Sequence, residues 1–141
     1  MTPPNGPRTV DTTSVSARVS QAVMAVVIAV ISVLFLITTH RMRLDLGSVQ
    51  VPTGLLLGLL FQVTACVFLV ASTGARLPLL LLGSLWGLIA GPFLGRGAGG
   101  GVLVPAVVAE QTQYAGWIVQ GIGILVPFAA ALVVTLRRRR R

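Results

Sequence analysis

Val19 to Thr39 reads VSQAVMAVVIAVISVLFLITT, a run of 21 residues without a charge. Wound as an α-helix at ~1.5 Å per residue, it is long enough to cross the ~30 Å of hydrocarbon in a bilayer. A cleavable signal peptide is the competing reading of such a run behind a short basic tail. The run is too long for a typical signal core, however, and it ends on Thr38, Thr39, His40 and Arg41 with no small-x-small cleavage pattern. We therefore read it as an uncleaved membrane anchor and the first of several spans.

The whole chain has the same character. Of its 141 residues 55% are hydrophobic and 10% charged, with a mean hydropathy of +0.92, far from the roughly 25% charge of soluble domains. All eleven basic side chains are arginine, against three acids (Asp11, Asp45, Glu110), for a formal charge of +8. Five of those arginines are the last five residues, so the excess reads as a topology signal and not as a nucleic-acid surface, which would interleave basic and aromatic residues. The single Cys66 can form no internal disulfide, and His40 has no second metal-ligand type near it.

Working outward, residues 1–18 hold prolines and many Ser/Thr without an apolar period, which predicts a disordered tail. After the first span (19–39), a connection with Arg41, Arg43 and Asp45 turns at Gly47 and Ser48. The second span (52–72) starts at Pro52, placed in the first helical turn, and carries Gly54, Gly58 and Gln62. Residues 73–76 connect so briefly that the second and third spans should be antiparallel neighbours. The third span (77–95) begins with Pro78 in its first turn and has Pro92 near its end, where it should bend or stop the helix. RGAGGG (96–101) is a flexible loop. VLVPAVVA (102–109) is too short to span, so it lies at the interface, re-enters, or packs over the bundle. The fourth span (114–136) has Tyr114 and Trp117 at interfacial depth and Pro127 near its centre, which should kink it, before the basic tail 137–141. The expectation is an all-α, integral membrane four-helix transmembrane bundle forming a single domain over 19–136.

With four spans both termini share a side. That side collects Arg8, Arg18, Arg76 and Arg137 to Arg141, while Arg41, Arg43 and Arg96 lie opposite with Asp45 and Glu110. The positive-inside rule then places both termini in the cytoplasm of a cell-membrane protein.

The most specific feature is GSLWGLIAGPFLG, with Gly83, Gly87, Gly91 and Gly95 at every fourth position. Four helical residues turn through about 400°, so these glycines form one shallow groove of glycine-zipper type. Each costs about 1 kcal/mol of helix propensity relative to alanine, and close packing of a second helix is the usual compensation in lipid. That second helix belongs to the same bundle or to a partner; the bland alternative is a glycine-rich composition. Gly54 and Gly58 favour the internal contact, between the second and third helices.

Gln62 and Gln120 lie well inside spans and should find interhelical partners, since an unpaired buried amide costs several kcal/mol. Ser32, Thr64 and Ser84 can bond to their own preceding turns. No Asp, Glu, Lys, Arg or His falls in the centre of a span, which weighs against small multidrug exporters built on an embedded carboxylate. The sequence offers no catalytic, cofactor-binding or metal-binding set, and we expect no enzyme. His40, Arg41, Arg43 and Asp45 flank the first span and fix its depth, although an anionic head group or a surface reaction at His40 and Asp45 are alternatives. Arg137, Arg138, Arg139, Arg140 and Arg141 can contact anionic lipid at about 1 kcal/mol per residue.

GLLLGLLFQVTACVFLVASTGARLPLLLLGSLWGL (54–88), followed by VLVPA and a last glycine-rich span, resembles small uncharacterised four-span membrane proteins of actinobacteria. The resemblance covers about residues 50 to 130. It implies a four-span fold and a genomic setting beside a mycothiol-pathway deacetylase gene, and it assigns no residue a role. The function expected is accessory or structural: association with the lipid bilayer and with a second copy or a larger membrane protein. A passive transporter or channel subunit, with Gln62, Gln120 and the Pro127 kink along its path, is the alternative.

Overall fold

The computed structural model describes residues 14–94, 107–108, 111–112 and 114–140. Four helices carry the fold: α1 (Val15–Thr39), α2 (Thr53–Thr73), α3 (Leu77–Leu94) and α4 (Tyr114–Arg139). Two short antiparallel hairpins join them, β1 (Leu44–Leu46) with β2 (Val49–Val51), and β3 (Val107–Val108) with β4 (Gln111–Thr112). Gly95 and Arg141 lie outside the described residues, as do residues 1–13 and most of the 102–109 segment.

Three boundaries depart from the sequence reading. The first helix starts at Val15, inside the stretch expected to be tail, because the Ser14 hydroxyl accepts the Ala17 N–H at 3.3 Å and so caps the helix. The fourth runs on to Arg139, past the expected end at 136. Cations suit the negative end of a helix dipole, and Arg138 also donates to the carbonyl of Gly74. The connection after α1 is a hairpin, with Leu44 opposite Val51 and Gly47 at φ +67 in its turn. Pro52 is the N-cap of α2 and precedes its first turn, and the Gly54 N–H bonds to Met42 O at 3.0 Å, which ties the hairpin to that helix.

Packing corrects the expected neighbours. Round the bundle the helices follow the cycle α1, α2, α4, α3, so α2 and α3 face each other across a diagonal despite their short connection. A short loop limits only how far apart two helix ends lie. Side-chain size decides which faces meet, and the bulky stripe Leu79, Leu82 and Trp86 of α3 finds room beside Ala29 and Val33 of α1. α1 and α2 show the same buried pattern at equal spacing: Gln21, Ala25, Ala29, Ser32, Val33, Leu36 on one and Gly54, Gly58, Gln62, Ala65, Cys66, Leu69 on the other. Most of these residues are small, which lets the helix axes approach.

α1, α2 and α4 are long and apolar enough to cross a membrane, while α3 is apolar but shorter. Large apolar side chains such as Val23, Leu34, Leu60, Val67, Leu88 and Leu125 point outward. The interior divides into two apolar clusters. One gathers Ala29, Cys66, Leu69, Leu79, Leu82 and Ala131, and the other Val33, Leu36, Trp86, Ala90 and Val119.

Candidate functional site

Between those clusters lies a buried polar chain that touches all four helices. It begins on α3, where the Trp86 indole N–H donates to Ser32 Oγ of α1 at 3.1 Å. The Ser32 hydroxyl in turn donates to Gln62 Oε1 of α2, and Gln62 Nε2 donates to the Gly123 carbonyl of α4 at 3.1 Å. Trp86, Ser32 and Gln62 are each 0% exposed. An indole can only donate and a backbone carbonyl can only accept, so the direction of every bond and the orientation of the Gln62 amide follow from the two ends.

The acceptor exists because of a proline. In an α-helix the N–H of residue 127 would bond to the carbonyl of residue 123, but Pro127 has no N–H, so that carbonyl is left for another donor. Gln62 supplies it from the neighbouring helix, a route by which membrane helices tolerate internal proline. Pro127 is itself fully buried, and α4 continues through it to Arg139. Gly123 is required for a second reason: a methyl group there would overlap the Trp86 ring. Glycine and proline together thus cut a notch in α4 that receives the indole on one side and the amide on the other.

Of the residues singled out in the sequence, Gln62 and Pro127 meet in this chain of bonds. Ser32 was expected to bond to its own helix and does not. Thr64 does so, donating to Leu60 O at 2.8 Å. Gln120 is not part of the chain, and its Oε1 is buried without a hydrogen-bond partner among the described residues. Trp86 and Gly123 were not singled out, although Gly123 lies four residues before Pro127, and that spacing was the available signal.

The two glycine sets do not meet each other. Gly54 and Gly58 pack on α1, where a side chain at 54 would overlap the Thr39 carbonyl oxygen and one at 58 would come within 2.9 Å of Leu36. Gly83 and Gly87 face α4, with Phe128 at 3.0 Å and Ile124 at 3.3 Å from the respective methyl positions. Gly91 has no described residue within 4 Å of its methyl position. The expected contact between the glycines of the second and third helices is therefore replaced by two separate contacts, with α1 and with α4.

The remaining polar residues gather at the ends. His40 is buried, with Nδ1 at 2.7 Å from the Ile37 carbonyl, and Arg43 donates to Gln50 Oε1 at 3.3 Å across the first hairpin. Asp45 sits exposed in that hairpin opposite Gln50. The arginines 137–140 are exposed at the other end. Among the described residues no three His, Cys, Asp or Glu side chains lie together as a metal site would need. Comparison with protein-family models, with curated proteins and with solved structures finds no match.

Proposed function

We propose that the chain is a four-span integral membrane protein with an accessory or structural role, in which the polar chain acts as a lock that holds the four helices at one mutual rotation. The observation that carries this reading is the state of Gln62. It is one of the two amides that a transport path would use, and both ends of it are engaged in bonds between helices. Such bonds contribute about 0.6 to 2 kcal/mol each in lipid, where apolar burial does little to choose among helix faces. α3 reaches about 27 Å over its eighteen residues, enough for a span with slight local thinning of the bilayer.

The unequal number of arginines at the two ends supports the orientation. Arg138 meets Gly74 at the end that also holds Arg76, whereas Arg41 and Arg43, just before the hairpin, and Asp45 on it lie at the opposite end. The arginine-rich end is the cytoplasmic one on the positive-inside rule, with both termini there.

The role is tested by solubilising native membranes in mild detergent and measuring mass by sizing with light scattering. An accessory protein elutes above its single-chain mass of 14.7 kDa with a co-purifying membrane protein or a second copy. Elution as a bare single chain from every mild detergent, together with solute flux in proteoliposomes that Gln62→Leu abolishes, would replace this role with transport.

A further inference from the structure

On the outside of the bundle, between α2 and α4, runs an open apolar groove of about 510 Å³. Its walls are small or β-branched, including Val63, Cys66 and Val70 on α2 and Ala130 and Val134 on α4, and Arg137 stands at one end. We propose that this groove holds one acyl chain of an anionic phospholipid, with the head group on Arg137; the proposal rests on the membrane-spanning reading above.

Three features select this occupant. The first is depth. The α4 wall runs from Val126 to Arg137, about 16 Å at 1.5 Å per residue, which is close to half of the ~30 Å hydrocarbon thickness. The groove starts beside Gln62 and Pro127, at the level of the polar lock, and ends at the arginine-rich surface, so it is one leaflet deep. The second is charge. Arg137 is exposed with Arg139 and Arg140 just beyond it, and the acid among the described residues, Asp45, lies on the hairpin at the other end of the bundle. Among the described residues, the charged side chains at this mouth are arginines. The third is shape: the lining is almost wholly apolar and the volume falls in the range of small-molecule sites.

The test uses the full chain in nanodiscs of equal phosphatidylglycerol and phosphatidylcholine, released into mild detergent, with bound lipid counted by native mass spectrometry. The wild-type chain should retain one phosphatidylglycerol in preference to phosphatidylcholine. Ala129→Phe, which fills the groove from an exposed position, should lose the retained lipid at unchanged helix content. Arg137→Gln should keep a lipid but lower the preference for the anionic one about fivefold. Equal retention and selectivity in all three chains would overturn the proposal, and a dimer mass without lipid would assign the groove to a second copy. If Ala129→Phe does not fold, unchanged selectivity in Arg137→Gln alone overturns it. A chain that never enters the nanodisc removes the membrane reading as well, whereas one that enters and retains no lipid removes only the groove.

Discussion

The two antiparallel seams of the bundle, α1 with α2 and α3 with α4, both use glycine, and they use it differently. In the first seam the neighbour that counts most is backbone: Gly54 lies against the Thr39 carbonyl, while Gly58 lies over the Leu36 side chain, and the tilted rings of Phe35 and Phe61 sit nearby with centroids 5.0 Å apart. In the second seam a large side chain lies on each glycine, Phe128 on Gly83, Ile124 on Gly87 and the Trp86 indole on Gly123. A backbone neighbour cannot move aside, whereas a side chain can when it has somewhere to go. The severity of a substitution should therefore follow the mobility of the neighbour and not membership of the glycine row.

A graded series of substitutions, read by thermal and denaturant unfolding in detergent, puts that contrast at risk. Gly123→Ala should cost most, about 3 kcal/mol or more, because the indole it displaces is fully buried and also anchors the polar lock. Gly54→Ala should follow at about 2 to 3 kcal/mol; its obstacle is backbone, but it is the second residue of α2 and the helix start can fray to relieve the overlap. A smaller loss at Gly123 than at Gly58 would mean that the indole has a second resting place and that the seams do not differ as described.

Gln62→Leu should destabilise by about 1 to 3 kcal/mol, since it leaves the Gly123 carbonyl and the Ser32 hydroxyl without this partner. The cost should shrink by about 1 kcal/mol in a Pro127→Ala background, where the restored N–H satisfies the Gly123 carbonyl within α4. Additive losses in that double-mutant cycle would disconnect the proline from the lock. Gly58→Ala should stay within about 1 kcal/mol of wild type, as the Leu36 side chain yields and helix propensity improves. The smallest effect is expected at Gly91→Ala, a gain of up to about 1 kcal/mol, because no described residue lies within 4 Å of the added methyl group. A clear loss of assembly there, seen by sizing with the fold intact, would place a partner helix on the outer end of the row.

The helices themselves were legible in the chain because apolar runs of span length leave few alternatives, and the proline and glycine punctuation between them is strong. Ends were less so. Ser14 reads equally well as tail or as cap until its hydroxyl is seen to meet the Ala17 N–H. The first hairpin was masked by its charges, although LDL and VQV alternate with the period of a strand. Gln62 announced itself as an amide in an apolar run, whereas Ser32 looked self-sufficient, because a serine in a helix can always bond to its own previous turn. The distinction between the two hydroxyls lies in what stands opposite: Thr64 faces outward, and Ser32 faces the indole and the amide.

The sequence by itself determined that this chain is helical and apolar, where its helices lie, and where along the chain the arginines gather, since each of these depends on residues near one another along the chain. Only the tertiary structure decided that α2 and α3 lie across a diagonal, that the glycine sets serve two different seams, and that the carbonyl released by Pro127 is taken up by Gln62. Those depend on which faces turn toward each other, and that rotation is chosen by side-chain size and by a few polar partners on separate helices, quantities that a pattern read along one helix does not contain.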